Sequence, residues 1–476
     1  MHYDTVIRNA RVIDGSNVPA YSADVAVRAG RIERIGELGD ARGTREIDAA
    51  GRVLAPGFID VHTHDDTVVI RQPQMLPKLS QGVTTVIVGN CGISASPVTL
   101  RDEPPDPMNL LGSKAAFVYP RFSDYRAAVT AARPALNVGA LIGHTALRSN
   151  HMDDLQRTAT VSEIRGMRQQ LRESLEAGAL GLSTGLAYAS AFNAETDEVL
   201  QLAAELTACG ALYTTHLRSE FEPVLEAMDE AFLIGRQARV PVIISHLKCA
   251  GAGNWGRSPH LLAALEQAAK THAVGCDCYP YAASSSTLDL KQVTDAFRIT
   301  ITWSTPHPEM GGRDLQDIAG LWGVSLLAAA QRLQPAGAVY YGMDESDVRR
   351  ILAHPLSMIG SDGLPDDPFP HPRLWGAFPR VLGHFSRDLG LFPLHTAVHK
   401  MSGLSAARFG LEGRGEIREG NWADLVLFDP QTVRDVADFN APQQAAQGID
   451  GVWVNGVMSY ENGVANGHRA GVFLPR

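Results

Sequence analysis

Cysteine is scarce in this chain, with five in 476 residues, at positions 91, 209, 249, 276 and 278. An odd, sparse set argues against a disulfide framework and for a reducing compartment. Long hydrophobic runs are missing too: none approaches the roughly 18 residues that span a bilayer. The opening MHYDTVIRNARVIDG carries Asp4 and Arg8 and has no apolar stretch before a cleavage site, so it does not read as a secretion signal. Positive charge is the third shortage. Lys and Arg number 42 against 52 Asp and Glu, a formal net charge of −10. Nucleic acid and anionic membrane both reward clustered cations, so neither is an expected partner. The expected location is the cytoplasm, and the expected partner is a small molecule. No internal repeat or low-complexity tract is visible.

What is present is ordinary for a globular enzyme: 45% apolar and 20% charged residues. The length exceeds what one core normally serves, so a large domain with a smaller one is expected. The first 55 residues alternate in DTVIRNARVIDG, ADVAVRAGRIERIGEL and REIDAAGRVLAPG, a period-two pattern that reads as antiparallel β. The end of the chain has the same texture, in GEIREGNWADLVLFDP and IDGVWVNGVMSYENG. Residues 1–56 and 411–476 are therefore expected to build one small β-sandwich domain from both termini.

Between them, over 57–410, short apolar runs alternate with helical patterns. Eight runs stand out: GFIDVH, VTTVIVGN, NVGALIGH, GALGLST, GALYTTH, VPVIISH, AVGCDCY and LSMIGSD. In TVSEIRGMRQQLRESLEAG, Val161, Ile164, Met167, Leu171 and Leu175 form a stripe. Thr160 with Glu163 makes a capping box, and Gly178 closes the helix. In SPHLLAALEQAAKTH, Ser258 is the expected cap and Pro259 the first helical residue. Continuous apolar strands alternating with helices predict an α/β fold, a (β/α)8 TIM-type barrel whose active site gathers at the strand C-terminal ends. About eighty residues separate the seventh run from the eighth, far more than a βα loop needs. An inserted lobe of about 284–345 is expected there, with helical patterns such as GRDLQDIAGLWGVSLLAAAQRL, and it is a candidate lid.

The ends of the runs carry the chemistry. The first ends in His62 and His64, the second in Cys91, the third in His144, the fifth in His216, the sixth in His246 and the eighth in Asp362. Residues i and i+2 of a strand face the same way, so His62 and His64 can both point into the barrel mouth. Any one of these alone reads as a capping or packing group. Imidazoles and a thiol at matched strand ends instead read as a zinc-type ligand set. Three protein ligands with an open position describe a catalytic zinc, which brings the ionisation of water down to roughly pH 7. A carboxylate such as Asp362 suits the proton transfers of amide hydrolysis. Asp65 and Asp66 fit two readings, partners that orient the imidazoles or a polar loop.

PGFIDVHTH, with ADLVLFDP and VWVNGV near the end, resembles the amidohydrolase superfamily. DVHTHDD, GNCG, GLAYAS, THLRSE, SHLK, YPYAASSST, GRDL, MIGSDGLP and PHPRLWG resemble its N-acyl-D-amino-acid deacylases, the D-aminoacylase family, in order over nearly the whole chain. The resemblance implies zinc-dependent hydrolysis of the linear amide bond of N-acyl-D-amino acids, releasing a carboxylate and a free D-amino acid. It implies a tightly held zinc on Cys91, His216 and His246, and a weak second metal position at His62 and His64. Asp362 matches the general base that then acts as acid. Tyr188, Lys248, Tyr279, Ser285 and Arg373 match positions that hold the substrate carboxylate and scissile carbonyl region. His144 matches no ligand position and is expected to be structural, as are Cys276 and Cys278. A neutral or broad side-chain preference is expected. An acidic preference would need an extra cation, for which Lys291 and Arg298 are available. A cyclic-amide hydrolase of the dihydropyrimidinase or hydantoinase kind is disfavoured, because no Lys ends an early strand. A non-catalytic assembly protein is disfavoured by the complete ligand set.

Overall fold

The computed structural model describes residues 2–476. Eight short strands fall on the eight apolar runs: β1 (Phe58–Asp60), β2 (Val83–Val88), β3 (Asn137–Ala140, continued as Ile142–Gly143), β4 (Gly181–Gly185), β5 (Leu212–His216), β6 (Val242–Ile244), β7 (Val274–Cys278) and β8 (Ser357–Ile359). All are parallel. Leu141 interrupts β3, so its first half pairs with β2 and its second with β4. The ring closes between β8 and β1 through a Thr63–Gly363 bridge and a bond from Asp362 N to His62 O of 2.8 Å. Nearly every strand residue is buried, because helices cover the outer face and side chains fill the interior.

The helix Val161–Glu176 shows how locally these elements are specified. The Thr160 hydroxyl accepts from Glu163 N while the Glu163 side chain accepts from Thr160 N, the reciprocal capping box. Ile164, Met167, Leu171 and Leu175 are buried on the barrel, but Val161, in the first turn, is 76% exposed. Thr160→Ala is expected to cost about 1 kcal/mol of stability, read as a lower denaturation midpoint with unchanged kcat. An unchanged midpoint would show that tertiary packing alone holds the helix. Ser258 behaves differently from its expected capping role. It is already helical in Ser258–Ala269, and its hydroxyl donates to Asp347 Oδ1 at 2.5 Å. Asp347 also accepts from Gly256 N and Ser258 N, so a distant carboxylate replaces the local cap.

Strands from both ends of the chain share one nine-stranded sheet, with Leu425–Phe428 beside Val53–Pro56. It has its own core, including Ile7, Val25, Leu54, Leu425 and Trp453. The expectation of antiparallel pairing throughout the first 55 residues is corrected here. His2–Val12, Tyr21–Arg28 and Arg31–Gly36 are antiparallel neighbours, but Arg42–Asp48 and Val53–Pro56 run parallel to His2–Val12. Period-two patterning reports a buried face and is blind to direction. Direction follows from the link after Gly36, where Leu38 and Ala41 pack on Tyr3, Val6 and Ala26 and return the chain to the far edge.

Between β7 and β8 lies a lobe with a separate core. It holds the expected helical segment, as Leu315–Trp322 and Leu326–Leu333. It also holds a three-stranded antiparallel sheet of Ser284–Thr287, Ala336–Tyr340 and Ile299–Ser304. The edge strand reads SSST and carries no apolar alternation, so its pairing is written only in backbone hydrogen bonds. Among the described residues, no helix is long and apolar enough to cross a membrane.

Candidate metal centre

Cys91 lies in the turn after β2, His216 ends β5 and His246 lies in the turn after β6, and each can offer one ligand atom within 4.8 Å of the others. A second group, His62, His64, Cys91 and Asp362, meets the same distance criterion. The two groups share Cys91. Its Sγ lies 3.3 Å from His246 Nε2 and 3.2 Å from His62 Nε2.

Three of these side chains reach the axis from unusual backbone. Cys91 (φ 53), His246 (φ 37) and Asp362 (φ 51) are all left-handed. The conformation costs a non-glycine residue about 1–2 kcal/mol and persists where surrounding bonds hold it. It turns the chain sharply at the strand end and aims the side chain back across the mouth. Gly360, just ahead of Asp362, is also constrained: a Cβ there would lie 2.5 Å from His62 Cβ and 2.9 Å from Asp277 Oδ1.

The ring nitrogens are sorted. His246 Nδ1 lies 2.9 Å from Glu220 Oε1 and 2.8 Å from Lys248 Nζ, and Nε2 turns to Cys91. His62 gives Nδ1 to Asp277 Oδ2 at 3.3 Å and likewise turns Nε2 inward. His216 Nδ1 meets the Tyr188 hydroxyl at 3.4 Å. A carboxylate behind an imidazole fixes its tautomer and orientation toward a metal. Burial alone would push the Cys91 thiol up, but the His62 and His246 imidazoles hold it well below the usual thiol range. A thiolate with inward-facing imidazole nitrogens fits zinc. Zinc at such a site supplies Lewis-acid polarisation of a carbonyl and lowers the ionisation of water toward neutral pH.

Asp362 sits at the edge of this cluster, with Oδ1 3.1 Å from His64 Nε2 and Oδ2 2.9 Å from Arg373 Nη1. Burial would raise its pKa, but Arg373, then His62 and His64, hold the carboxyl well below its ordinary range. Arg373 is fully buried, lies 4.6 Å from the Tyr279 ring centroid, and donates Nη2 to Ser285 O at 3.0 Å. Its Nε, the Tyr279 hydroxyl and the Ser285 Oγ are buried without a hydrogen-bond partner. Buried polar atoms left unpaired are costly, and their clustering beside the candidate zinc-type cluster marks a place for a polar ligand. Ser285 comes from the edge strand of the lobe, so the lobe builds part of the site. Lys248 donates to Glu220, and its Nζ is 2.8 Å from His246 Nδ1.

Other sequence candidates lie elsewhere. His144 faces away, bonded through Nε2 to Glu198 at 2.8 Å, where Arg148 completes a buried ion-pair network. Asp66 accepts from Ala95 N at 3.2 Å, and Asp65 faces Lys78 at 3.4 Å, so both hold the loop. Cys276 and Cys278 are buried, and burial pushes both thiols up. Arg298 pairs with Asp314 at 3.4 Å, and Lys291 sits over the exposed Phe192 ring. Two orienting carboxylates were missed. Glu220 ends the THLRSE segment, and no local pattern sets it apart. Asp277 had a usable signal, since an acid inside an apolar strand requires a partner.

Comparison with known proteins agrees with this geometry. The amidohydrolase family model matches residues 45–460. The chain is 49% identical to a D-aminoacylase of Alcaligenes xylosoxydans xylosoxydans over 100% of its own length and 98% of the relative's. It is 48% identical to an N-acyl-D-aspartate deacylase of the same organism, over 99% and 95%. The crystal structure of an N-acyl-D-glutamate deacylase from Bordetella bronchiseptica, complexed with zinc and a phosphonate inhibitor that mimics the tetrahedral intermediate, superposes with a TM-score of 0.97 at 44% identity, covering 100% of both chains. With its barrel, its cysteine–histidine cluster and a family match over most of its length, the chain belongs to the amidohydrolase family.

Proposed function

We propose that this protein is a zinc-dependent hydrolase that cleaves the amide bond of N-acyl-D-amino acids. The observation that carries the reading is a fully buried guanidinium, Arg373, that keeps an unused donor at Nε while ion-paired with an ionised carboxylate, Asp362, beside a zinc-type ligand cluster. An N-acyl amino acid presents one obligatory charge, a carboxylate, next to the amide that must break. Arg373 matches that carboxylate in charge and offers it the free Nε donor. The Tyr279 and Ser285 hydroxyls supply further donors, and Lys248 and Tyr188 flank the position of the scissile carbonyl. Cys91, His216 and His246 hold the zinc, with His62 and His64 as a weaker second position. Asp362, ionised at neutral pH, accepts the proton released as water adds to the carbonyl and hands it to the departing nitrogen. Fixing carboxylate and carbonyl at two points leaves room for one hand at the α-carbon. The relatives named for D-amino-acid substrates support the D hand.

A relative named D-aminoacylase and relatives named for N-acyl-D-aspartate and N-acyl-D-glutamate match almost equally well, so identity does not choose the side chain. Arg298 is already paired with Asp314 and is half-exposed, and Lys291 packs on Phe192. Neither is a free cation committed to a second carboxylate, which favours neutral or broad specificity. The test is a panel of N-acetyl-D- and N-acetyl-L-amino acids. Neutral D substrates should turn over, with L enantiomers at least about 100-fold slower in kcat/KM. Equal rates for the two hands would overturn the stereochemistry, and a marked preference for N-acetyl-D-glutamate would overturn the side-chain assignment.

A further inference from the structure

Behind the metal cluster lies a buried polar group that the reaction does not touch. Lys78, on the short helix Leu76–Leu79, is fully buried. Its Nζ donates to Asp60 Oδ2 at 2.8 Å and Ser361 Oγ at 2.7 Å, and faces Asp65 at 3.4 Å. Both bonded partners sit next to catalytic-site residues. Asp60 is two residues before His62 on β1, and Ser361 immediately precedes Asp362. Asp60 Oδ1 accepts from Ser361 N at 2.8 Å, and Ser361 Oγ accepts from Gly363 N at 3.2 Å. The bonds converge on the seam where β8 meets β1, which no continuous ladder holds. They also brace Asp362 from both sides in its left-handed conformation.

We infer that Lys78, acting through Asp60 and Ser361, is a positioning residue that locks the turn aiming the Asp362 carboxylate at the reacting amide. The inference rests on the proposed role of Asp362. The Lys78 ammonium has Asp60, Ser361 and Asp65 as partners and none of the proposed metal ligands or substrate-facing groups, so its loss should misplace the proton carrier and leave binding intact.

The test uses the zinc-loaded full chain and the best neutral N-acetyl-D-amino acid from the panel. Ser361→Ala removes the two bonds that Oγ accepts, from Lys78 Nζ and Gly363 N, and leaves the Lys78–Asp60 pair in place. The triple variant Lys78→Met/Asp60→Asn/Asp65→Asn removes the three facing charges together, so no buried ion is left alone. Each should lower kcat by about 10- to 100-fold, with KM within about 2-fold and the zinc-to-protein ratio unchanged. If either folded, zinc-loaded variant keeps kcat within about 3-fold, or if zinc is lost in step with kcat, the positioning role is overturned. Asp362→Asn run alongside separates the two ideas. An inactive Asp362→Asn beside fully active network variants removes the positioning alone, whereas a fully active Asp362→Asn removes the role of Asp362 and the positioning with it.

Discussion

Asp362→Asn is expected to lower kcat by about 10²- to 10⁴-fold, the usual worth of a positioned acid–base group, with zinc still bound. Asn keeps the shape and can still accept from His64 or Arg373, whose nitrogens lie 3.1 and 2.9 Å from the present carboxylate. Its amide cannot take up a proton at neutral pH. The substitution also releases Arg373 from its ion pair and leaves that guanidinium free for substrate, so KM should stay level or fall. The split matters: a kcat loss with unimpaired KM identifies a group needed in the transition state more than in binding. Zinc by elemental analysis and a full substrate titration decide the matter. A kcat within about 10-fold of the parent would sink the assignment.

Removing the thiolate should be as severe by a different route. Cys91 is the member common to both ligand groups and the anion against which His62 and His246 turn their Nε2 atoms. Cys91→Ala leaves the strand and its packing almost unchanged, since the side chain is small and buried. It deletes the ligand that best distinguishes zinc from harder ions. Zinc affinity should fall by more than about 100-fold, beyond what loss of an orienting partner costs. Activity should then disappear at equimolar zinc. Dialysis against a chelator followed by metal analysis is the direct measurement. A Cys91→Ala protein that retains one zinc per chain through that treatment would move the centre elsewhere in the mouth.

Much of the architecture was legible because it is locally encoded. The eight apolar runs predicted the eight strands, since a strand buried on both faces must be continuously apolar wherever its neighbours lie. The capping box at Thr160 and Glu163 formed as read because its bonds close within one helical turn. Reading failed where the partner was distant. Ser258 gave up its capping role to Asp347, the edge strand Ser284–Thr287 carried no apolar signal, and the pairing direction of Arg42–Asp48 depended on how the preceding link packs.

The site divides along the same line. Residue types at strand ends were visible in the linear chain: two imidazoles after GFIDV, a thiol in GNCG, a histidine after YTT and another after IIS, and an acid after MIGS. That inventory by itself determined thiolate–imidazole chemistry with a carboxylate at hand. Which nitrogen faces which carboxylate was settled only by closing the ring, which sets β8 beside β1 and brings Asp362 within 3.1 Å of His64 across 298 positions of chain. The Arg373–Asp362 pair and the Glu220 and Asp277 supports likewise arise from tertiary contacts. Each is a contact between segments whose approach no local pattern encodes.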